Sequence, residues 1–185
     1  MTGRQAEAAL KGRRHNGFPL SDDATRVIVS RQQCQQPQRW YRDLRRSGAS
    51  CVQIIPQVDT DEAGNLSAAS VQPDEWGAFL CAVFDLWVRQ DIDKIQLHLF
   101  ESTLAIWRGF TCNLDDVNNA CRECPVLRFC HEGVPQCRLA DGKNALCAGY
   151  RHFFTYSAPY MKALRDLLKQ HRSPRELMAM LSQAE

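Results

Sequence analysis

Three stretches decide the fold of this 185-residue chain: Arg26-Val27-Ile28-Val29-Ser30, then Pro37-Gln38-Arg39-Trp40-Tyr41-Arg42-Asp43-Leu44-Arg45-Arg46, then Cys51-Val52-Gln53-Ile54-Ile55. The first and the last are short β-branched runs, which are typical of buried strands. The middle stretch begins with proline, which suits a first helical turn, and Gly48 is placed to cap its end. Strand, helix and strand in about 30 residues predict a parallel βαβ unit. Pro56 is expected to stop the second strand.

The residues that follow continue the alternation of strands and helices. Residues 57–72 form a polar loop, and Ile95-Gln96-Leu97-His98-Leu99 alternates as a strand does. A short helix is predicted from Ser102 to Trp107. We therefore predict an α/β fold of successive β-α repeats over residues 23–110. The clearest helix opens at Pro73 and carries apolar residues at helical spacing, namely Trp76, Phe79, Leu80, Val83 and Trp87.

The chain changes character at residue 111. Cysteine, proline, glycine and asparagine replace the periodic apolar residues up to residue 146, and such a segment usually needs a metal or disulfides to hold its shape. Leu146 to His171 is predicted to be helical, either continuous or broken near Pro159. A last helix is expected to start at the capping box Ser173-Pro174-Arg175-Glu176. Residues 1–22 are predicted to be a poorly ordered leader.

The overall composition is that of an ordinary globular protein. Hydrophobic residues make up 44% of the chain, charged residues 24%, and the formal net charge is only +2. This small charge does not demand a polyanionic partner. No apolar run approaches the roughly 20 residues that span a bilayer, and the first residues lack the apolar core of a secretory signal. We therefore expect a cytoplasmic protein with no membrane contact, in which thiols stay reduced.

The cysteines are the strongest functional signal. There are nine of them, an odd number that favours a metal site over a disulfide framework in a reducing compartment. A Cys-x2-Cys turn presents two thiolates to one metal. Four thiolates suit a [4Fe–4S] cluster or a tetrahedral zinc ion, although zinc sites of this kind usually have two such pairs and only one is present here. Buried free thiols are the remaining interpretation. The local pattern runs Cys121-x2-Cys124-x5-Cys130, then Cys137 and Cys147.

The cysteine-bearing stretches also carry a family resemblance. Cys121-Arg-Glu-Cys124-Pro-Val-Leu-Arg-Phe-Cys130-His-Glu-Gly133-Val134-Pro135 and Leu146-Cys147-Ala-Gly149-Tyr150 resemble the SPASM region of the anaerobic sulfatase-maturating radical-SAM enzymes. Val52-Gln53-Ile54-Ile55-Pro56 and Trp76-Gly77-x-Phe79-Leu80 are similar to the later part of that family's barrel. The resemblance implies a truncated homologue of the family's C-terminal half. Residues 23–110 would be a partial (βα) radical-SAM-type barrel, and residues 111–185 a cysteine-rich, loop-rich SPASM-like region with C-terminal helices.

The resemblance also implies which residues bind a cluster. The family's SPASM region holds two auxiliary clusters, and the ligands of one of them match Cys121, Cys124, Cys130 and Cys147. For the other cluster, one ligand position falls on Val134, which cannot ligate iron. Cys112 matches another of its ligands, but the family's following Cys-Asp-His segment has no counterpart before Cys121. Cys137 is either a substitute ligand or a bystander. We therefore expect one [4Fe–4S] cluster, with zinc as the alternative.

The expected function follows from what the chain lacks. The family binds and cleaves S-adenosylmethionine at a cluster on a Cys-x3-Cys-x2-Cys loop, and that spacing does not occur in this sequence. We therefore expect an iron–sulfur protein without catalysis of its own, accessory to sulfatase maturation, with a sulfatase or a full-length maturase as partner. The exposed sheet edges of a partial barrel would also allow a homo-oligomer.

Two alternatives to this function remain. One is a structural zinc module. The other is a regulatory nucleic-acid-binding protein, since Arg39, Arg42 and Arg46 fall at helical spacing and such a stripe can contact phosphates. The small net charge and the lack of a helix-turn-helix pattern favour a solvated helix face for these arginines.

Overall fold

A computed structural model describes residues 24–111, 119–130, 139 and 142–183, so the predicted leader lies outside the described residues. A 3₁₀ turn covers Asn119–Cys121. The strands and helices follow the order β1 (Thr25–Val29), α1 (Arg31–Cys34), α2 (Pro37–Ser47), β2 (Cys51–Pro56), α3 (Pro73–Gln90), β3 (Gln96–Leu97), α4 (His98–Trp107), α5 (Leu127–Cys130), α6 (Cys147–Lys169) and α7 (Arg175–Ser182).

The sheet confirms the predicted βαβ unit. In the described part of the chain it has three parallel strands in the order β1-β2-β3. Gly48 caps α2 in the left-handed conformation, with φ of 73°. Pro56 does not stop β2 before it but is its last residue, opposite Val29. The Val29 carbonyl accepts its bond from the Gln57 N–H at 2.9 Å, so the ladder needs no donor from the proline.

The core lies between the sheet and the long helices α3, α4 and α6. The predicted apolar face of α3 is confirmed, because none of its five residues is more than 1% exposed. Phe84 of α3 meets Phe100 of α4 edge-on at 5.2 Å, and Phe100 stacks on Phe153 of α6 at 5.3 Å. Such aromatic pairs contribute beyond the area they bury. The fold is therefore held by one continuous core that includes the C-terminal helix α6.

The predicted strand over residues 95–99 is wrong in its second half. Only Gln96–Leu97 pairs with β2, and the chain enters α4 at His98, four residues before the predicted helix start. Phe100 and Leu104 lie one helical turn apart and both are buried. The Thr103 hydroxyl donates to the Leu99 carbonyl at 2.6 Å. The short apolar alternation thus coincides with the first turn of an amphipathic helix, which buries more than an extended strand end would.

The C-terminal helices differ from expectation in their details. Helix α6 continues through Pro159, because buried residues on both sides, Ser157 and Met161, fix the helix against the core. Helix α7 begins at Arg175, two residues after Ser173. The Ser173 hydroxyl accepts a bond from the Arg175 N–H at 3.2 Å, and the Glu176 carboxylate accepts bonds from the Ser173 backbone and from Arg172, so the two ends of the predicted capping box do interact. Among the described helices, none combines the length and apolarity that a membrane crossing needs.

Candidate metal centre

The first three predicted ligands lie on a run of consecutive tight turns. The Cys124 N–H donates to the Cys121 carbonyl at 2.9 Å, which places both residues on one turn, as the Cys-x2-Cys spacing predicts. Cys130 is the last residue of α5. Phe129 anchors this segment: it is only 5% exposed and stacks on Trp107 at 5.4 Å. The apolar residues between the cysteines therefore attach the turns to the core.

The fourth predicted ligand begins α6. Cys147 is the first residue of that helix, and its N–H donates to the Asn144 carbonyl at 3.1 Å. The side-chain oxygen of Asn144 accepts from the Leu146 N–H at 2.8 Å. Asn144 is buried, and a side chain that bonds the backbone two residues on is a turn device. Sequence reasoning did not single out Asn144, although an asparagine just before a helical run is a recognisable signal.

A glycine pair fixes where α6 starts. A Cβ atom on Gly149 would lie 2.1 Å from the Pro73 carbonyl oxygen and 2.9 Å from the Gly77 nitrogen. A Cβ atom on Gly77 would lie 3.0 Å from the Gly149 Cα. The first turns of α3 and α6 therefore touch backbone to backbone, and Cys147 stands two residues before this contact. Both glycines belong to the motifs quoted above, but nothing in the sequence pairs them.

The electrostatics connect two of the predicted ligands. Partial burial raises the pKa of the Cys147 thiol, the Cys124 thiol raises it further, and Arg151 and Lys143 lower it. Cys124 and Cys147 are therefore close enough to influence each other although they are distant in sequence. By contrast, burial raises the pKa of Cys34 and of Cys81 to about 12, so both remain neutral core thiols.

The turns at 119–130 carry three of the predicted ligands and the start of α6 carries the fourth, and they are not closed around one ion. No three His, Cys, Asp or Glu side chains among the described residues stand close enough to hold a metal. Cys112, Val134 and Cys137 lie outside those residues. The donor set consists of four thiols, with the cations Lys143 and Arg151 near Cys147, and it suits a group that is ligated by thiolates only. The ligand set stays a prediction.

The arginine stripe is partly neutralised. Arg39, Arg42 and Arg46 are exposed on α2. Asp43 stands among them, with its carboxylate 4.0 Å from Arg39 and 3.7 Å from Arg46. Such exposed ion pairs contribute little stability but reduce the local positive field.

Comparison with known proteins identifies the family. No family model matches the chain. It is 41% identical to the uncharacterized protein YidF of Escherichia coli K12 over 160 residues, which cover 86% of this chain and 93% of YidF. The chain belongs to the YidF family. That name carries no activity, so the function has to be argued from the site.

A second relative is a sulfatase-maturating enzyme. The chain is 26% identical to the serine-type anaerobic sulfatase-maturating enzyme of Bacteroides thetaiotaomicron, in a match that covers 64% of this chain and 44% of the enzyme. This confirms the predicted relationship: the chain is a partial homologue of the sulfatase-maturating enzymes. It spans less than half of that enzyme's length.

Solved structures support the same relationship at the level of the fold. Native anSMEcpe with bound AdoMet matches with a TM-score of 0.62 and 18% identity, over 77% of this chain and 56% of anSMEcpe. The structure of anSMEcpe with bound AdoMet and Cp18Cys peptide matches with a TM-score of 0.62 and 16% identity, over 78% of this chain and 58% of that chain. At these identities the match establishes the fold only. The small parallel sheet with its helices resembles that of anSMEcpe.

Proposed function

We propose that this chain is a cytoplasmic, sulfatase-maturase-like iron–sulfur protein with one [4Fe–4S] cluster. Residues 111–185 would form a SPASM-like region, and the cluster would be held by Cys121, Cys124, Cys130 and Cys147. The protein would be accessory to sulfatase maturation, in contact with a sulfatase or with a full-length maturase. Bound there, the cluster would supply a structural crosslink and a one-electron redox group.

One observation carries the proposal. The thiols of Cys124 and Cys147 come from separate segments, and the Cys124 thiol raises the pKa of the Cys147 thiol at a corner that also holds Cys121 on the same turn as Cys124. Four thiolates bring negative charge together, and Lys143 and Arg151 lower its cost. The buried thiols Cys34 and Cys81 have no such surroundings, which is why we assign them to the core.

The proposed lack of catalysis rests on the cysteine spacing. The 185 residues contain no Cys-x3-Cys-x2-Cys run, so no loop offers three thiolates to a cluster that leaves one iron open for S-adenosylmethionine. The accessory role is supported by the similarity in fold to anSMEcpe, of which one structure contains a bound peptide. A chain with part of that fold would have part of the peptide-binding surface.

Metal analysis of the anaerobically purified protein tests the cluster. We expect brown protein with about four irons and an equal amount of sulfide per chain. Cys124→Ser should lose most of the iron and the colour, whereas the matched variant Cys81→Ser, in the buried core, should keep them. Colourless protein with one zinc per chain would assign the site to a structural zinc module and contradict the cluster.

A separate assay tests the absence of catalysis. The reduced, cluster-loaded protein should produce no 5′-deoxyadenosine from S-adenosylmethionine, while a full-length sulfatase maturase in the same buffer should produce it. Turnover by this chain alone would overturn the accessory role even if the cluster is present.

A further inference from the structure

The free edge of β1 and the neighbouring helix α2 form a groove that no part of the proposed cluster site uses. β1 is an edge strand, and no described strand lies on its other side. Between β1 and α2 runs a groove with a volume of about 430 Å³. Val27, Trp40 and Leu44 form its apolar floor, and its polar rim includes Arg39 and the carboxylate of Asp43. A polar-rimmed apolar groove beside a strand edge is the setting in which extended peptides bind.

The backbone of β1 offers hydrogen bonds along this groove. In a parallel ladder, alternate residues point both their N–H and their C=O to the same neighbouring strand. The Val29 carbonyl accepts a hydrogen bond from the N–H of Gln57, the residue after β2. The N–H and C=O of Val29 therefore point to β2, and those of Ile28 point to the free edge. The Ile28 side chain is 63% exposed, which is unusual for a large apolar residue in a strand. The edge carries neither the proline nor the lysine that commonly blocks pairing.

The charge of α2 indicates what kind of strand would fit. Arg39 and the carboxylate of Asp43 line the groove, whereas Arg42 and Arg46 lie outside its lining on the exposed side of the same helix. The helix beside the groove therefore carries these three arginines against the one carboxylate of Asp43. Arg45 is engaged with the buried carboxylate of Asp91 at 3.1 Å. A second copy of this chain paired edge to edge would bring two such positive helices together. The arginines would bind the phosphates of a nucleic acid, but a nucleic acid would neither fill an apolar floor nor pair with a strand edge.

We propose that the β1 edge binds an extended acidic segment of a partner protein by strand addition. An apolar side chain of that segment would fill the floor over Val27 and Leu44, and carboxylates on either side of it would meet Arg39 and Arg46. These arginines are seven residues apart on α2, or about 10 Å. Two side chains four residues apart on a strand are separated by about 13 Å. The long side chains of glutamate and arginine can span the difference between these two separations. The proposal does not depend on cluster binding.

The test uses a defined probe, the fluorescein-labelled peptide acetyl-Thr-Glu-Thr-Val-Thr-Glu-Thr-amide, whose valine and two glutamates share one face. The full chain should bind it, and an analogue with lysine in place of both glutamates should bind about tenfold more weakly. The double variant Arg39→Glu/Arg46→Glu should reverse this preference. Lys162→Glu, which makes an equal charge change per site at an exposed position of α6, should leave the preference for glutamate unchanged.

A backbone variant separates strand addition from simple charge attraction. Ile28→Pro removes an N–H that faces the free edge and no ladder bond, so the fold should survive while peptide binding falls about tenfold or more. The charge-reversal variant does not depend on this survival. In amide hydrogen exchange, the peptide should protect Ile28.

Several results would overturn the proposal. No binding at millimolar peptide, or equal binding of the glutamate and lysine peptides, would exclude an acidic strand. An Ile28 amide that is already protected without peptide would assign the edge to a second copy or to the chain's own first residues. Short single-stranded DNA that binds more tightly than the peptide, and is weakened by the same charge reversal, would assign the arginines to nucleic acid.

Discussion

The strand-and-helix region at residues 25–107 and the cysteine region at residues 119–147 are stabilised in different ways. The first buries large aromatic side chains and pairs even its buried charge: Asp91 accepts bonds from the Tyr41 hydroxyl at 3.0 Å and from Arg45 at 3.1 Å. Its Trp87 indole N–H donates to the Ile95 carbonyl at 2.6 Å. This region has the packing of an ordinary domain core.

The cysteine region has far less to hold it. Before α6 its described helical structure consists of a 3₁₀ turn and the four-residue helix α5, and its buried apolar side chains are Val126, Phe129, Ala145 and Leu146. Each fully buried side chain of this size stabilises by about 1.5–3 kcal/mol, which is little against the entropy of ordering the turns. The comparison teaches that the first region is held by its packing with α6, whereas the second has few buried side chains of its own, and the proposed cluster would add stabilisation there.

The largest expected effect comes from the shared aromatic core. Phe100→Ala should lower the free energy of unfolding by about 3–5 kcal/mol, because it removes a fully buried ring that contacts Phe84 and Phe153. Urea titration of the metal-free protein measures the loss. The same truncation in the cysteine region, Phe129→Ala, should cost less, about 1.5–3 kcal/mol, because surroundings that collapse easily leave only the loss of burial without a cavity. Equal losses would mean that the two regions are equally packed.

The next effect tests the contact that joins the two regions. Gly149→Ala should destabilise by about 1–3 kcal/mol and reduce iron uptake, because the added Cβ collides with the Pro73 carbonyl and displaces the start of α6. Gly77→Ala, with its closest approach at 3.0 Å, should do both more mildly. Urea titration and iron analysis show which of the two variants loses more stability and more iron. If Gly149→Ala keeps full stability and full iron, the glycine contact does not position Cys147.

Sequence patterns predicted most helices and strands of the first region correctly because the signals for them are local. The period of Trp76, Phe79 and Val83 is enough to predict α3, and the β-branched runs with Gly48 between them predict the βαβ unit. They failed at residues 95–99, where five alternating residues fit a strand as well as the first turn of a helix. Which one forms depends on how Phe100 and Leu104 pack against the rest of the core.

The site was less accessible to such reasoning. The Cys-x2-Cys turn is local, and the structure has it as predicted. The start of α6, which carries Cys147, packs against α3 through Gly77 and Gly149, and these helices are distant in sequence. A glycine in a helix indicates that something is close, but it does not indicate what.

The smallest expected effect is electrostatic and should stay within the first region. The guanidinium of Arg31, 2.9 Å from Glu75, holds the pKa of that carboxyl below its usual range. A lowered folded-state pKa stabilises above the unfolded value, and this stability is lost as the pH falls through the folded value. Arg31→Met should therefore cost about 0.5 kcal/mol at neutral pH for this partly exposed pair, and less in acid.

Urea titration at neutral and acidic pH measures this difference. Arg42→Met, on the exposed side of α2, is the control and should leave the pH dependence unchanged. A loss for Arg31→Met that persists in acid would indicate a packing effect rather than an ion pair.

Hydrogen exchange of the metal-free and the anaerobically reconstituted protein tests the contrast between the two regions most directly. Residues 119–130 and the first turn of α6 should exchange fast without metal and gain strong protection once iron and sulfide are bound. Amides of α3 and α4 should be equally protected in both states. Uniform protection of the cysteine region in the metal-free protein, or no gain on reconstitution, would contradict the claim that a bound cluster holds it together.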